Sequence, residues 1–265
     1  MRILITNDDG IGARGLEVLD AIAHEVAGED GEVWCVAPAF EQSGVGHSIN
    51  YVRPSMLSQI EPRRFAVEGS PADCVLAGLG ELVDGPVDLV LSGINRGNNS
   101  GENTVYSGTV GAAMEAALQG VPGIALSQFF GPGNANLADP YEAAATHGAN
   151  LVRRLVADAP WGGETYKLFY NVNFPAFAAD HVRGMAAVAQ GYRGDARMGV
   201  HPDTSPSGRK YLWIRGSAQG EPTQPGTDVA ANCDGWISVT PMRCDLTDHA
   251  VLDDLRGVLG NASAA

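Results

Sequence analysis

Arg2-Ile3-Leu4-Ile5-Thr6-Asn7-Asp8-Asp9-Gly10 opens on a short apolar run and stops abruptly at two adjacent carboxylates. An apolar run closed by polar residues is the pattern of a strand buried on both faces. The carboxylates then stand at its carboxyl end, the edge at which parallel sheets bind ligands. Next along the chain, Leu16, Leu19, Ala23 and Val26 keep helical spacing, and Glu32–Ala37 reads as a second strand closed by Pro38. Strand-like pieces at Asp88–Leu91, Ile124–Leu126 and Leu168–Val172 alternate with helical patterns over Thr109–Leu118 and Tyr141–Val156. In the first of these helices Val110, Ala113, Met114, Ala117 and Leu118 share a face, and Gly120 stops it. The alternation predicts an α/β fold: a Rossmann-like, mostly parallel sheet covered by helices on both faces.

The chain of 265 residues fits a single α/β domain over residues 1–265, with 45% apolar and 18% charged residues excluding wholesale disorder. Residues 191–226 differ: glycine, proline and charge are dense, and Lys210–Arg215 is a strand-like piece with Tyr211 and Trp213 in it. That stretch is predicted to be a protruding arm or swapped segment, a C-terminal hairpin used in oligomerisation, rather than a disordered loop. Trp236–Thr240 reads as a last strand, and Thr247–Leu259 as a closing helix capped near Thr247 or Asp248.

A net charge of −14 disfavours binding to nucleic-acid polymers or anionic membranes. It leaves room for a small phosphorylated ligand, because a bound cation can reverse the field inside one pocket. The four cysteines, Cys35, Cys74, Cys233 and Cys244, form no CxxC pair and read as small hydrophobes in a reducing compartment. The first residues enter a strand without a charged leader and apolar core, and no apolar run reaches the ~18 residues of a membrane span. A soluble, cytoplasmic protein is expected.

Three loops carry the candidate chemistry. The first holds Asp8 and Asp9, whose mutual repulsion a hard cation such as Mg²⁺ or Mn²⁺ would neutralise. It also contains Gly10-Ile11-Gly12-Ala13-Arg14-Gly15, which matches GxGxxG and allows an NAD-dependent oxidoreductase as an alternative. Against that reading, Asn7-Asp8-Asp9 intervene between strand and glycine, and the second strand ends without an acidic residue. The second loop, Ala37 to Ser48, offers Ser43 as a neutral oxygen for a metal and His47 as a group to touch an anion or move a proton. The third, Ser92-Gly93-Ile94-Asn95-Arg96-Gly97-Asn98-Asn99-Ser100-Gly101, has amide oxygens suited to a hard cation or to a phosphate. It leads into Tyr106-Ser107-Gly108-Thr109, where a helix N-terminus with two hydroxyls makes an anion site. P-loop, GxSxG and HExxH signatures are absent from the sequence.

Together these stretches resemble the SurE (survival protein E) family of metal-dependent nucleoside-monophosphate phosphatases. The resemblance rests on NDDG at Asn7–Gly10, AP and QSG between Ala37 and Gly44, and the Gly69–Cys74 segment. SGINRG at Ser92–Gly97, YSGTVGAA at Tyr106–Ala113, NVNFP at Asn171–Pro175 and SVTP at Ser238–Pro241 follow in the same order. It implies four ligands for one divalent ion per subunit, Asp8, Asp9, Ser43 and Asn95, with Asp8, Asp9 and Asn95 as the catalytic group. It further implies phosphate contacts at Asn99, Ser107, Gly108 and Thr109, nucleoside monophosphates as substrates, and homodimers or homotetramers with exchanged C-terminal segments. The sequence departs from the family at Ser70, often Thr, and at Asn98-Asn99-Ser100-Gly101, often Ala-Asn-Leu-Gly, which puts base and phosphate preference in doubt.

The implied activity is phosphomonoester hydrolysis: a 5′(3′)-nucleotidase, with short polyphosphate as a further substrate to be tested. Direct attack by water and a covalent Asp8 nucleophile both remain open. A non-catalytic nucleotide- or metal-binding module is the competing class, because the same residues could bind without turnover.

Overall fold

The computed structural model describes residues 1–260 apart from 164, 195–197, 217, 218 and 222. In chain order the elements begin with β1 (Arg2–Thr6), α1 (Arg14–Ala27), β2 (Glu32–Pro38), β3 (Leu57–Glu61), β4 (Arg64–Val67) and α2 (Pro71–Ala77). The middle of the chain gives β5 (Leu89–Arg96), α3 (Asn103–Tyr106), α4 (Gly108–Leu118), β6 (Gly123–Gln128), α5 (Glu142–Asp158) and β7 (Leu168–Phe174). It closes with β8 (Gly184–Ala187), β9 (Gly199–Thr204), β10 (Lys210–Arg215), α6 (Asp228–Cys233), β11 (Trp236–Arg243) and α7 (Leu252–Leu259).

Among the described residues nine strands form one sheet in the order β3-β4-β2-β1-β5-β6-β7-β11-β8. The pairs from β4 to β7 are parallel, β3 is antiparallel to β4, and β11 runs antiparallel to β7 and parallel to β8. The sheet is therefore mostly parallel, as expected, with reversed strands towards its edges.

The continuous apolar run of β1 follows from helices on both faces. Ile3 and Ile5 pack with Leu16, Leu19 and Ile22 of α1 and Leu151 and Val152 of α5. Leu4 points to the opposite face, with Cys74 and Val75 of α2 and Ala112 and Ala116 of α4. α1 approaches the sheet tightly at Gly15, where a Cβ would stand 1.9 Å from the Ile94 carbonyl oxygen. That glycine of the GxGxxG stretch is explained by packing of α1 on β5.

β5 corrects the expectation of a loop after Leu91. The strand runs on through Ser92-Gly93-Ile94-Asn95-Arg96, with its register shifting between Ser92 and Asn95. Gly93 lies at φ +139°, and a Cβ there would be 2.1 Å from the Leu126 carbonyl oxygen. The irregular step is accommodated without losing the strand, which brings Asn95 and Arg96 to the carboxyl edge.

α4 also departs from the one-faced helix expected. Val110, Ala113 and Ala117 pack beside Phe169, Ala112 and Ala116 beside Leu4, and Leu118 is exposed. A helix wedged between two packed groups is apolar nearly all round. The last helix is shorter than Thr247–Leu259: it begins at Leu252, and its N-cap Val251 has no side-chain cap. Local bonds replace helix before it, because the Asp245 carboxylate takes the Thr247 N–H at 2.9 Å and Asp248 takes the Ala250 N–H at 3.0 Å.

Residues 191–226 hold an antiparallel hairpin of β9 and β10, pairing Thr204 with Lys210 and Gly199 with Arg215. Both strands are exposed along their whole length. Residues 195–197, 217, 218 and 222 of the predicted arm lie outside the described ones. The foot of the arm is anchored, however: Arg193 is buried, and its guanidinium donates to the Ser100 carbonyl and Ser100 Oγ, both at 2.9 Å. Among the described residues the four cysteines are free thiols, with Cys35 and Cys74 buried.

Candidate active site

The sheet changes direction of winding at β1, which has β2 on one side and β5 on the other. A crevice opens outside the carboxyl ends at such a point. The loops after β1 and β2 and the end of β5 meet there through two backbone–backbone bonds and one from a backbone N–H to a carboxylate. The Gln42 N–H donates to the Asp8 carbonyl at 2.7 Å, the Ile11 N–H to the Pro38 carbonyl at 2.8 Å, and the Arg96 N–H to Asp9 Oδ2 at 3.1 Å. These contacts put Asp8, Asp9, Ser43 and Asn95 at one edge of the sheet, although they come from three separate segments.

Asp8 is buried, at 4% exposure. Its Oδ1 accepts from Thr109 Oγ1 at 2.7 Å and its Oδ2 from the Thr109 N–H at 3.3 Å. The N-terminus of α4 therefore does hold an anion, and the anion is the Asp8 carboxylate. Gly108 permits this approach, since a Cβ there would stand 3.0 Å from Asp8 Cβ and 3.1 Å from Pro71 Cγ. Ser107 caps the helix, its Oγ accepting the Val110 N–H at 3.1 Å. Burial pushes the Asp8 carboxyl up to about 6, with the Thr109 hydroxyl opposing and the Asp9 charge reinforcing the rise. Asp9 is raised for the same reason, opposed by the Arg96 N–H and reinforced by Glu41.

Asn95 is buried and donates its Nδ2 to the Gly97 carbonyl at 2.9 Å. Its amide oxygen has no hydrogen-bond partner among the described residues. Ser43 is exposed, and its hydroxyl donates to Glu41 Oε1 at 2.9 Å. Among the described residues no three His, Cys, Asp or Glu side chains gather around one point. A metal held here must combine the two carboxylates with the neutral oxygens of Ser43 and Asn95. An all-oxygen donor set suits Mg²⁺ or Mn²⁺, and two raised carboxyl groups side by side suit a cation. The residues present fit the ion.

Asn99 is placed differently from its neighbours in the third loop. Its Nδ2 donates to Ser127 Oγ at 2.8 Å, its N–H to Asn173 Oδ1 at 2.7 Å, and its carbonyl accepts from Asn171 Nδ2 at 2.8 Å. Much of its hydrogen bonding ties the loop to the sheet. His47 pairs with the buried Glu115 at 2.6 Å, which fastens the second loop to α4.

A cleft of about 1190 Å³ opens over this edge, lined among others by Asp9, Ser43, Glu41, Arg96, Phe130 and Tyr141. Asp8 and Asn95 are not on its wall. Glu41, Arg96 and Tyr141 went unremarked in the sequence. The first two stand beside Ser43 and Asn95 in the quoted loops and could have been found there. Tyr141 belongs to the predicted helix, the structure makes it the residue just before α5, and nothing local marks it.

Comparison with known proteins follows the same residues. The family described as survival protein SurE matches residues 3–197. A 5′-nucleotidase SurE of Cereibacter sphaeroides (strain KD131 / KCTC 12085) is 62% identical over 261 residues, covering 98% of this chain and 100% of that one. The 5′-nucleotidase SurE of Jannaschia sp. (strain CCS1) is 60% identical over 263 residues, covering 98% of this chain and 100% of its own. The crystal structure of a Sure protein from Aquifex aeolicus superposes with a TM-score of 0.78 at 34% identity, over 98% of this chain and 100% of that one.

Proposed function

This chain belongs to the SurE family, and on that premise we propose that it is a divalent-metal-dependent phosphomonoester hydrolase, a 5′-nucleotidase acting on nucleoside monophosphates. The NAD-dependent and non-catalytic alternatives find no support in the relatives. The observation that carries the reading is the acidic pair at the carboxyl edge. Asp8 is fixed on the N-terminus of α4 and Asp9 on the Arg96 N–H, with two neutral oxygen donors beside them.

Asp8, Asp9, Ser43 and Asn95 would hold one ion per subunit, Mg²⁺ or Mn²⁺. When bound, that ion supplies Lewis-acid polarisation of the phosphate and an activated water. The chain's own residues do the rest. Thr109 orients Asp8 with two hydrogen bonds, so that its carboxylate cannot rotate freely. Each Asp8 oxygen accepts one hydrogen bond from Thr109 and keeps a lone pair for the ion. Asp9 has its Oδ2 held by Arg96 while Oδ1 takes no hydrogen bond among the described residues, which suits it to accept a proton from the attacking water. Asn99, Ser107 and the Gly108 N–H would face the phosphoryl oxygens, while the Thr109 N–H and hydroxyl stay on the Asp8 carboxylate.

Among the described residues no helix is long and apolar enough to cross a membrane. We propose a cytoplasmic homodimer or homotetramer in which the exposed hairpin of β9 and β10 crosses to a second copy. The test is inorganic phosphate release from nucleoside 5′- and 3′-monophosphates and short polyphosphate, with Mg²⁺, Mn²⁺ or EDTA. Release with a metal and none with EDTA is expected. No release from folded protein under any condition would overturn the hydrolase reading.

A further inference from the structure

We infer that Arg96 and Tyr141 bind the phosphate of the substrate on the cleft wall beside Asp9. The inference rests on the hydrolase reading and extends it to residues that the sequence motifs do not explain.

The carboxylates of Asp9, Glu41 and Asp139 on one cleft wall repel a phosphate dianion, and a cationic side chain facing the same space opposes that repulsion alongside a bound metal ion. Two arginines line the cleft, Arg14 and Arg96. Arg14 is already neutralised, at 2.7 Å from Asp139 and 2.9 Å from Glu17. The guanidinium of Arg96 makes no hydrogen bond or ion pair among the described residues, and it is exposed to the cleft. Its own N–H fixes Asp9 Oδ2 at 3.1 Å, so backbone and side chain of one residue address the acidic pair and the open space beside it.

Tyr141 is the second observation. The residue is 6% exposed, its ring packs edge-on to Phe130 with centroids 5.1 Å apart, and it lines the same cleft. Its hydroxyl has no hydrogen-bond partner among the described residues. That hydroxyl lies 3.2 Å from where a Gly15 Cβ would stand, and the charges acting on it are Asp9, Arg96, Asp139 and Arg14, all on the cleft wall. The ring is packed while the hydroxyl stays accessible on the cleft wall, free to donate to a ligand. A phosphate oxygen beside a free guanidinium completes both groups, since the fork of donors on arginine matches two phosphate oxygens.

The test titrates inorganic phosphate into metal-loaded wild type, Arg96→Ala, Arg96→Lys, Tyr141→Phe and Arg14→Ala by calorimetry, beside KM and kcat for a nucleoside monophosphate. Arg96 is exposed and Tyr141→Phe keeps the ring, so neither change removes core packing. Arg96→Ala should weaken phosphate binding about tenfold or more and raise KM in proportion. Arg96→Lys should recover part of that loss. Tyr141→Phe should weaken binding by about threefold, and Arg14→Ala should leave it unchanged. Wild-type affinity in Arg96→Ala, or an equal loss in Arg14→Ala, would overturn the inference. Arg96-dependent phosphate binding by a wild type that hydrolyses nothing would support the contact and overturn the hydrolase reading alone.

Discussion

Ile3-Leu4-Ile5 of β1 and Leu212-Trp213-Ile214 of β10 are both short apolar runs inside strands that begin with a basic residue, and their surroundings are opposite. The first three are completely buried, while the second three are 68%, 58% and 65% exposed. Strand propensity is satisfied in both, so propensity does not separate them. The difference lies in what packs against each strand. β1 has helices on both faces and a parallel neighbour on each side. Among the described residues β10 pairs with β9 alone. The buried strand makes a rigid floor on which carboxylates can be held against their own repulsion. The exposed one carries apolar surface that a monomer leaves in water, which is where the proposed second copy would find its contact.

Three substitutions test that contrast. The largest effect is expected at the end of the buried strand: Asp8→Asn should lower metal-dependent phosphate release by roughly 10²–10³-fold, with unchanged far-UV circular dichroism. Retained activity would remove Asp8 from the metal site. Next, Gly15→Ala forces a methyl to within 1.9 Å of the Ile94 oxygen and should cost roughly 3 kcal/mol, read as a lower urea midpoint. A variant as stable as wild type would show that α1 can shift on the sheet. The smallest effect on the fold is expected in the hairpin, where Leu212→Ser should change monomer stability by no more than about 0.5 kcal/mol. The same change should reduce the assembled mass seen by light scattering, and an unaltered oligomer would disconnect the hairpin from assembly.

Much of the site could be read in the sequence because its parts are local signals. Adjacent carboxylates at the end of an apolar run, an Asn/Gly-rich loop, and a hydroxyl-rich helix start each announce themselves within a few residues. Asp8, Ser107 and Thr109 lie where those signals place them. Asn99 shows the limit. Its amide also donates to Ser127, a residue distant in the chain that no local pattern connects to it, so its role in tying the loop to the sheet was not legible. The closing helix failed for the reverse reason, because Asp245 and Asp248 bond their own neighbours and delay its start to Leu252.

By itself the sequence determined the alternation of strands and helices, and with it the mostly parallel sheet and the edge at which the candidate site lies. Periodicity and capping are properties of neighbouring residues, so one dimension suffices for them. Tertiary structure alone decided that β5 runs on through Asn95 and Arg96, and that the α4 N-terminus takes the Asp8 carboxylate. It also decided that the Arg96 guanidinium stays unpaired among the described residues while Arg14 is neutralised. Those outcomes depend on which groups meet across the fold, and on how burial and competing partners divide the hydrogen bonds among them.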